Sequence, residues 1–110
     1  MKQFMNSRES LITEAIDGLL RTSGGKLARL DGYPHIRVVV RTDWDRSKVA
    51  LVSGGGSGHE PSHAGFVGQG MLTAAVCGDV FASPSVDAVL AGILAVTGKA
   101  GCLLIVKNYT

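Results

Sequence analysis

The sequence predicts an α/β domain, a layered parallel or mixed sheet with flanking helices, in an incomplete form. Stretches rich in β-branched residues alternate with two stretches whose apolar residues recur at helical spacing. The run Val49-Ala50-Leu51-Val52 stops abruptly in Ser53-Gly54-Gly55-Gly56-Ser57-Gly58-His59-Glu60-Pro61, which reads as a buried strand meeting a glycine turn at a sheet crest. The chain stops at Thr110 just after a polar strand end, an unusual finish for a parallel α/β domain, so residues 1–110 are expected to be a fragment of a longer protein. Its 110 residues, 45% hydrophobic, suffice for one core.

Asn6 with Glu9 three residues on has the form of a capping box, and Leu11, Ile12, Ala15, Ile16, Leu19 and Leu20 follow on one helical stripe. A packing helix is expected over 7–21, stopped by Ser23-Gly24-Gly25. Leu27 to Asp31 is ambiguous. His35 to Arg41 reads as a strand, with His35, beside Pro34, on the surface. Asp43 to Ser47 is a polar turn in which Trp44 either covers a core edge or anchors a partner. Lys48 to Ser53 is the strand feeding the glycine turn. Met71 to Cys77 is a short strand and Gly78 to Ala82 a second crest. Ser83 then matches an N-cap with Pro84 at the first helical position, leading a helix with Val86, Val89, Leu90, Ile93 and Leu94 that ends by Gly98. Cys102 to Val106 is an uninterrupted apolar run, the pattern of a strand covered on both faces. Strand, helix, strand implies a parallel crossover.

Composition excludes several classes. The net charge is +2 and aromatics make up 5%, with no basic stripe, so a nucleic-acid partner is not expected. No apolar stretch approaches membrane-spanning length and no signal-peptide pattern opens the chain, which points to the cytoplasm. Cys77 and Cys102, far apart and without metal-ligand spacing, suit buried thiols better than a disulfide.

The glycine turn removes Cβ atoms where backbone N–H groups converge on a small oxygen-rich ligand. A P-loop would need Gly-Lys-Ser/Thr at its end, a dinucleotide fingerprint would need glycine at His59 or Pro61, and a nucleophile elbow would need glycine at His59. None is present. His59-Glu60-Pro61-Ser62-His63 matches H-E-x-x-H literally, but zinc chemistry needs both imidazoles on an established helix, and Pro61 fits only a first turn. His59 at the end of a glycine turn on a crest is therefore better read as a ligand contact than as a packing histidine, while His63 is read as structural. Lys107, emerging from an apolar strand, reaches the same crest; parallel strands would bring Gly56, Ser57, His59 and Lys107 around one small ligand. Ser83 is first a cap, and Asp79 an exposed loop acid.

At these residues the sequence resembles the dihydroxyacetone kinase family, in the N-terminal part of its substrate-binding domain. The resemblance rests on Ser53 to Pro61, Gly68-Gln69-Gly70-Met71-Leu72, Gly78-Asp79-Val80-Phe81-Ala82-Ser83-Pro84 and Leu104-Ile105-Val106-Lys107-Asn108-Tyr109-Thr110, in order. Residues 1–47 look closer to the ATP-dependent single-chain kinases than to the phosphotransferase-system subunit. The resemblance implies phosphorylation of dihydroxyacetone (glycerone), with ATP and Mg bound outside this segment. Gly56, Ser57, Gly58, His59 and Lys107 are implied to bind the ketose, and His59 to be catalytic by hydrogen-bonding a hydroxyl and assisting proton movement. A histidine forming a covalent hemiaminal with the substrate carbonyl, and a catalytic aspartate about two residues past Thr110, are implied beyond this sequence. The 110 residues alone are then expected to be inactive, and the full-length protein to be a homodimer. The alternative is a sugar-binding or regulatory subunit without catalysis that acts through a partner protein.

Overall fold

The computed structural model describes residues 3–32 and 35–107; Pro34 and the motif end Asn108-Tyr109-Thr110 lie outside them. Its elements are α1 (Leu11–Arg21), β1 (Leu27–Gly32), β2 (Ile36–Arg41), β3 (Ala50–Ser57), β4 (Ala74–Val80), α2 (Val86–Val96) and β5 (Cys102–Ile105), with a short 3-10 turn at Ala64–Phe66. The five strands form one mixed sheet in the order β1-β2-β4-β3-β5. β1 pairs antiparallel with β2, and β2 with β4; β3 runs parallel to β4 on one side and to β5 on the other. The C-terminal ends of β3, β4 and β5 therefore share one edge of the sheet.

Period-two alternation explains the layers. Val39, Ala75 and Cys77 face Ile12 and Ile16 of α1, whereas Val38, Ala74 and Val76 face Ala88 and Val96 of α2. Each helix thus covers one face of the sheet. α2 approaches closely because Gly92 has no side chain: a Cβ there would lie 2.6 Å from Val76 Cγ2. Trp44 covers a core edge, with Nε1 donating to the Val96 carbonyl at 2.8 Å and the Arg41 guanidinium 5.4 Å from its ring.

Several local expectations are corrected. α1 starts at Leu11 with Ser10 as its N-cap residue, so Asn6 and Glu9 form no capping box; Asn6 instead donates to Glu14 at 2.7 Å. The cap of α2 is Ser85 rather than Ser83, its hydroxyl accepting the Ala88 N–H at 3.1 Å, which leaves Pro84 ahead of the helix. Leu27 to Asp31, ambiguous in the sequence, is strand β1. β5 lies at the edge of the sheet, and Leu103, Leu104 and Ile105 are exposed rather than covered on both faces.

The largest difference concerns β3. The strand does not end at Ser53 but runs through Gly54, Gly55 and Gly56 to Ser57, with Ser53, Gly54, Gly55 and Ser57 paired to β4. The register shifts between Gly55 and Ser57. Ladder hydrogen bonds are made by the backbone, so glycines hold the strand when a neighbour supplies partners. Gly54 is required sterically, since its Cβ would strike the Val76 carbonyl. The turn itself begins at Gly58, whose φ is +103°.

Candidate functional site

A cavity of about 520 Å3 opens at the C-terminal edge of the three parallel strands. Gly54, Gly55 and Gly56 line it from β3, His59 from the turn beyond, Phe81 and Ser83 from the second crest, and Lys107 from the end of β5. The crests lie close because their glycines permit it: a Cβ on Gly56 would lie 2.8 Å from the Ala82 nitrogen. One on Gly78 would collide with the Ala82 carbonyl. Lys107 extends over the strand, its Cε and Nζ each 2.8 Å from where a Gly55 Cβ would stand. The glycines therefore form a floor of bare backbone, with one imidazole and one ammonium at its rim. Such a surface offers amide groups and two mobile-proton or cationic groups to a small hydroxylated molecule.

Of the residues singled out in the sequence, Gly56, His59 and Lys107 meet at this cavity. Ser57 does not turn its side chain there. It is buried, its hydroxyl donates to the Gly78 carbonyl at 2.8 Å, and it lines a second cavity of about 390 Å3 on the α1 side of the sheet. Gly58 lines neither cavity; its N–H is held by the Glu60 carboxylate at 3.0 Å. Residues 59–63 are turn, not α-helix, so His59 and His63 share no helix face. Among the described residues, no group of three or more His, Cys, Asp or Glu is placed to hold a metal ion.

Three further residues were not assigned to the site by the sequence. Phe81 stacks edge-on with His59, ring centroids 5.0 Å apart and planes at 62°. Ser83, displaced from the cap, stands in the cavity wall. His63, on the α1 side, comes within 3.3 Å of the Gly55 Cβ position, and burial followed by the positive charges of Lys107 and His59 lowers its pKa. Asp79, read as an exposed loop acid, is exposed and lies 3.4 Å from Arg37, which also donates to Thr13 of α1. Cys77, in the second cavity, is a free thiol whose pKa burial and the Glu60 charge push up to about 11.

Fold and site together define an α/β domain with a cavity over a glycine strand at the C-terminal edge of its sheet. The chain belongs to the Dak1 domain family: residues 17–110 match that domain. It is 65% identical over 108 residues to the dihydroxyacetone kinase of Citrobacter freundii, covering 97% of this chain and 20% of that protein. The crystal structure of that kinase superposes with a TM-score of 0.93 over 98% of this chain and 20% of its own, and it has also been solved with AMP-PNP and Mg2+. The dihydroxyacetone-binding subunit DhaK of a PTS-dependent dihydroxyacetone kinase from Listeria innocua is 51% identical over 110 residues, 100% of this chain and 32% of that one. A dihydroxyacetone kinase operon co-activator, Dha-DhaQ, matches in structure with a TM-score of 0.79 and 38% identity over 87% of this chain and 28% of its own. The chain thus spans about a fifth of the length of the C. freundii relative. No helix among the described residues is long and apolar enough to cross a membrane.

Proposed function

We propose that residues 1–110 are the N-terminal part of the substrate-binding domain of a dihydroxyacetone kinase and supply part of its ketose pocket. The observation that carries this reading is the glycine floor of β3 with His59 and Lys107 at its rim, in a chain 65% identical to a dihydroxyacetone kinase. A triose offers little area for binding, so recognition must come from close polar contacts, which a floor without side chains allows. Gly55 and Gly56 let the ligand approach the backbone. His59 accepts a hydrogen bond from a substrate hydroxyl and helps move its proton as that oxygen attacks the phosphoryl group. Lys107 holds a hydroxyl or carbonyl oxygen and offsets negative charge developing at the reacting oxygen. Ser57 and Gly58 act by shaping the strand end, Ser57 through its bond to Gly78.

The full-length protein is read as a cytoplasmic homodimer, with ATP as phosphoryl donor and Mg bound outside this segment. Closer identity to the C. freundii kinase than to the Listeria subunit favours ATP over a phosphoprotein donor. The test is phosphorylation of dihydroxyacetone by the full-length protein with only Mg and ATP. Product at wild-type rate and a loss of roughly 100-fold or more in kcat for His59→Ala are expected. Absence of ketose binding would overturn the assignment of Gly56, His59 and Lys107. The structural match to the operon co-activator favours a second reading, a ketose-binding regulatory module. Binding of dihydroxyacetone without phosphorylation, with either ATP or a phosphoprotein donor, would select it.

A further inference from the structure

Phe81 combines three features that burial does not explain. Its side chain is 69% exposed, so its ring contributes little to the core. Its backbone has φ +50°, a left-handed conformation that is a genuine outlier for a bulky residue. Its N–H donates to the Ser57 carbonyl at 2.7 Å, tying that conformation to the end of the glycine strand. Strain of this kind persists where the surroundings impose it, and it clusters at functional positions. What the conformation achieves is geometric. The ring is laid over Gly58, with Cε1 2.7 Å from where a Gly58 Cβ would stand, and in an edge-to-face contact with the His59 imidazole, centroids 5.0 Å apart.

The turn that carries His59 is open to solvent. Gly58 has no Cβ, and His59, Glu60 and Pro61 are all exposed. An exposed imidazole on such a turn would sample several rotamers, of which few direct a ring nitrogen into the cavity. Phe81 removes that freedom from one side. We propose that Phe81 is a positioning residue that holds the His59 imidazole in its working orientation over the glycine floor, its left-handed backbone being the means of placing the ring. This rests on the reading of His59 as a ketose contact. It also assigns a purpose to glycine at 58, since any side chain there would displace the ring.

The test uses the full-length protein and four forms: wild type, His59→Ala, Phe81→Asn and Phe81→Tyr. Asparagine tolerates φ +50° better than phenylalanine but offers no aromatic ring. Phe81→Asn is expected to leave the melting temperature unchanged or raise it while lowering kcat/KM for dihydroxyacetone by about 10-fold, the size of one aromatic pair. Phe81→Tyr keeps the ring and is expected to stay near wild type. A fall in melting temperature alongside activity in Phe81→Asn would make the ring a packing element and overturn the proposal, as would unchanged activity. Failure of Phe81→Tyr to retain activity would overturn it too. If wild type is inactive, or His59→Ala is as active as wild type, the functional reading itself falls and this inference with it. Loss in His59→Ala with no loss in Phe81→Asn rejects Phe81 alone.

Discussion

Cys77 and His63 stand on the α1 side of the glycine strand, and burial works on them in opposite directions because their charged forms differ in sign. The Cys77 thiolate is disfavoured, and its pKa rises from 9.0 to about 11. Near pH 8 its alkylation by iodoacetamide is therefore expected to be roughly 100-fold slower than that of an ordinary thiol, with mass spectrometry of the native protein as the check. Equal modification in native and urea-unfolded protein would contradict this. For His63 the imidazolium is disfavoured, so its pKa falls below 6.5. The unfolded chain then binds more protons between the two values; the contribution to stability is complete above about pH 6.5 and is lost as the pH falls through the folded pKa. The melting temperature of His63→Gln should fall less between pH 7.5 and pH 5 than that of the wild type, by calorimetry. His59 and Lys107 were legible in the sequence because chain position alone delivers them, one after a glycine run and one after an apolar strand. The direction of the Ser57 side chain was not, since it depends on which residue of β4 stands opposite, and Phe81 was hidden because its conformation is imposed by a contact distant in sequence.

α2 shows how an element can be read correctly while its boundary is missed. Ser83-Pro84-Ser85 contains two residues able to cap, and proline at the first helical position favoured the earlier one. The structure uses Ser85, because the stretch 82–84 must stay extended enough to lie across Gly56 and Gly78. Ser85→Ala should cost about 1 kcal/mol in urea unfolding, and Ser83→Ala close to nothing in stability. A larger loss from Ser83→Ala would return the cap to the expected position. β1 was ambiguous for a related reason: it pairs only with β2 at the sheet margin, and its outer residues face solvent, so its pattern lacks apolar alternation. β3 was cut short in the sequence because glycine is a poor strand former by composition, whereas its pairing with β4 is a tertiary property.

At the scale of the whole molecule, two neighbouring parts of the chain expose large apolar side chains. Leu103, Leu104 and Ile105 are exposed along β5 and Val106 just beyond it, and Val86, Leu90 and Leu94 along α2. An apolar strand at a sheet edge invites pairing with another chain. Residues 1–110 prepared alone should therefore associate with increasing concentration in sedimentation velocity. Leu104→Lys should shift them toward monomer; a monomer at every concentration would show the edge to be harmless. The mixed sheet and its two covering layers followed from the alternation of β-branched and helical stretches. The exposed β5 did not, because an uninterrupted apolar run states what a strand prefers to touch and not whether that neighbour is present.

Gly55 and Gly56 line both cavities, one on each face of the sheet. Between them stands a partition a single peptide thick, and each residue in it answers to two rooms at once. A methyl group at Gly55 would meet Lys107 and His63, and one at Gly56 would meet Ala82. Gly56 is thus fixed by the backbone of the second crest, whereas a side chain at Gly55 would displace the end of Lys107 on one face and press on His63 on the other.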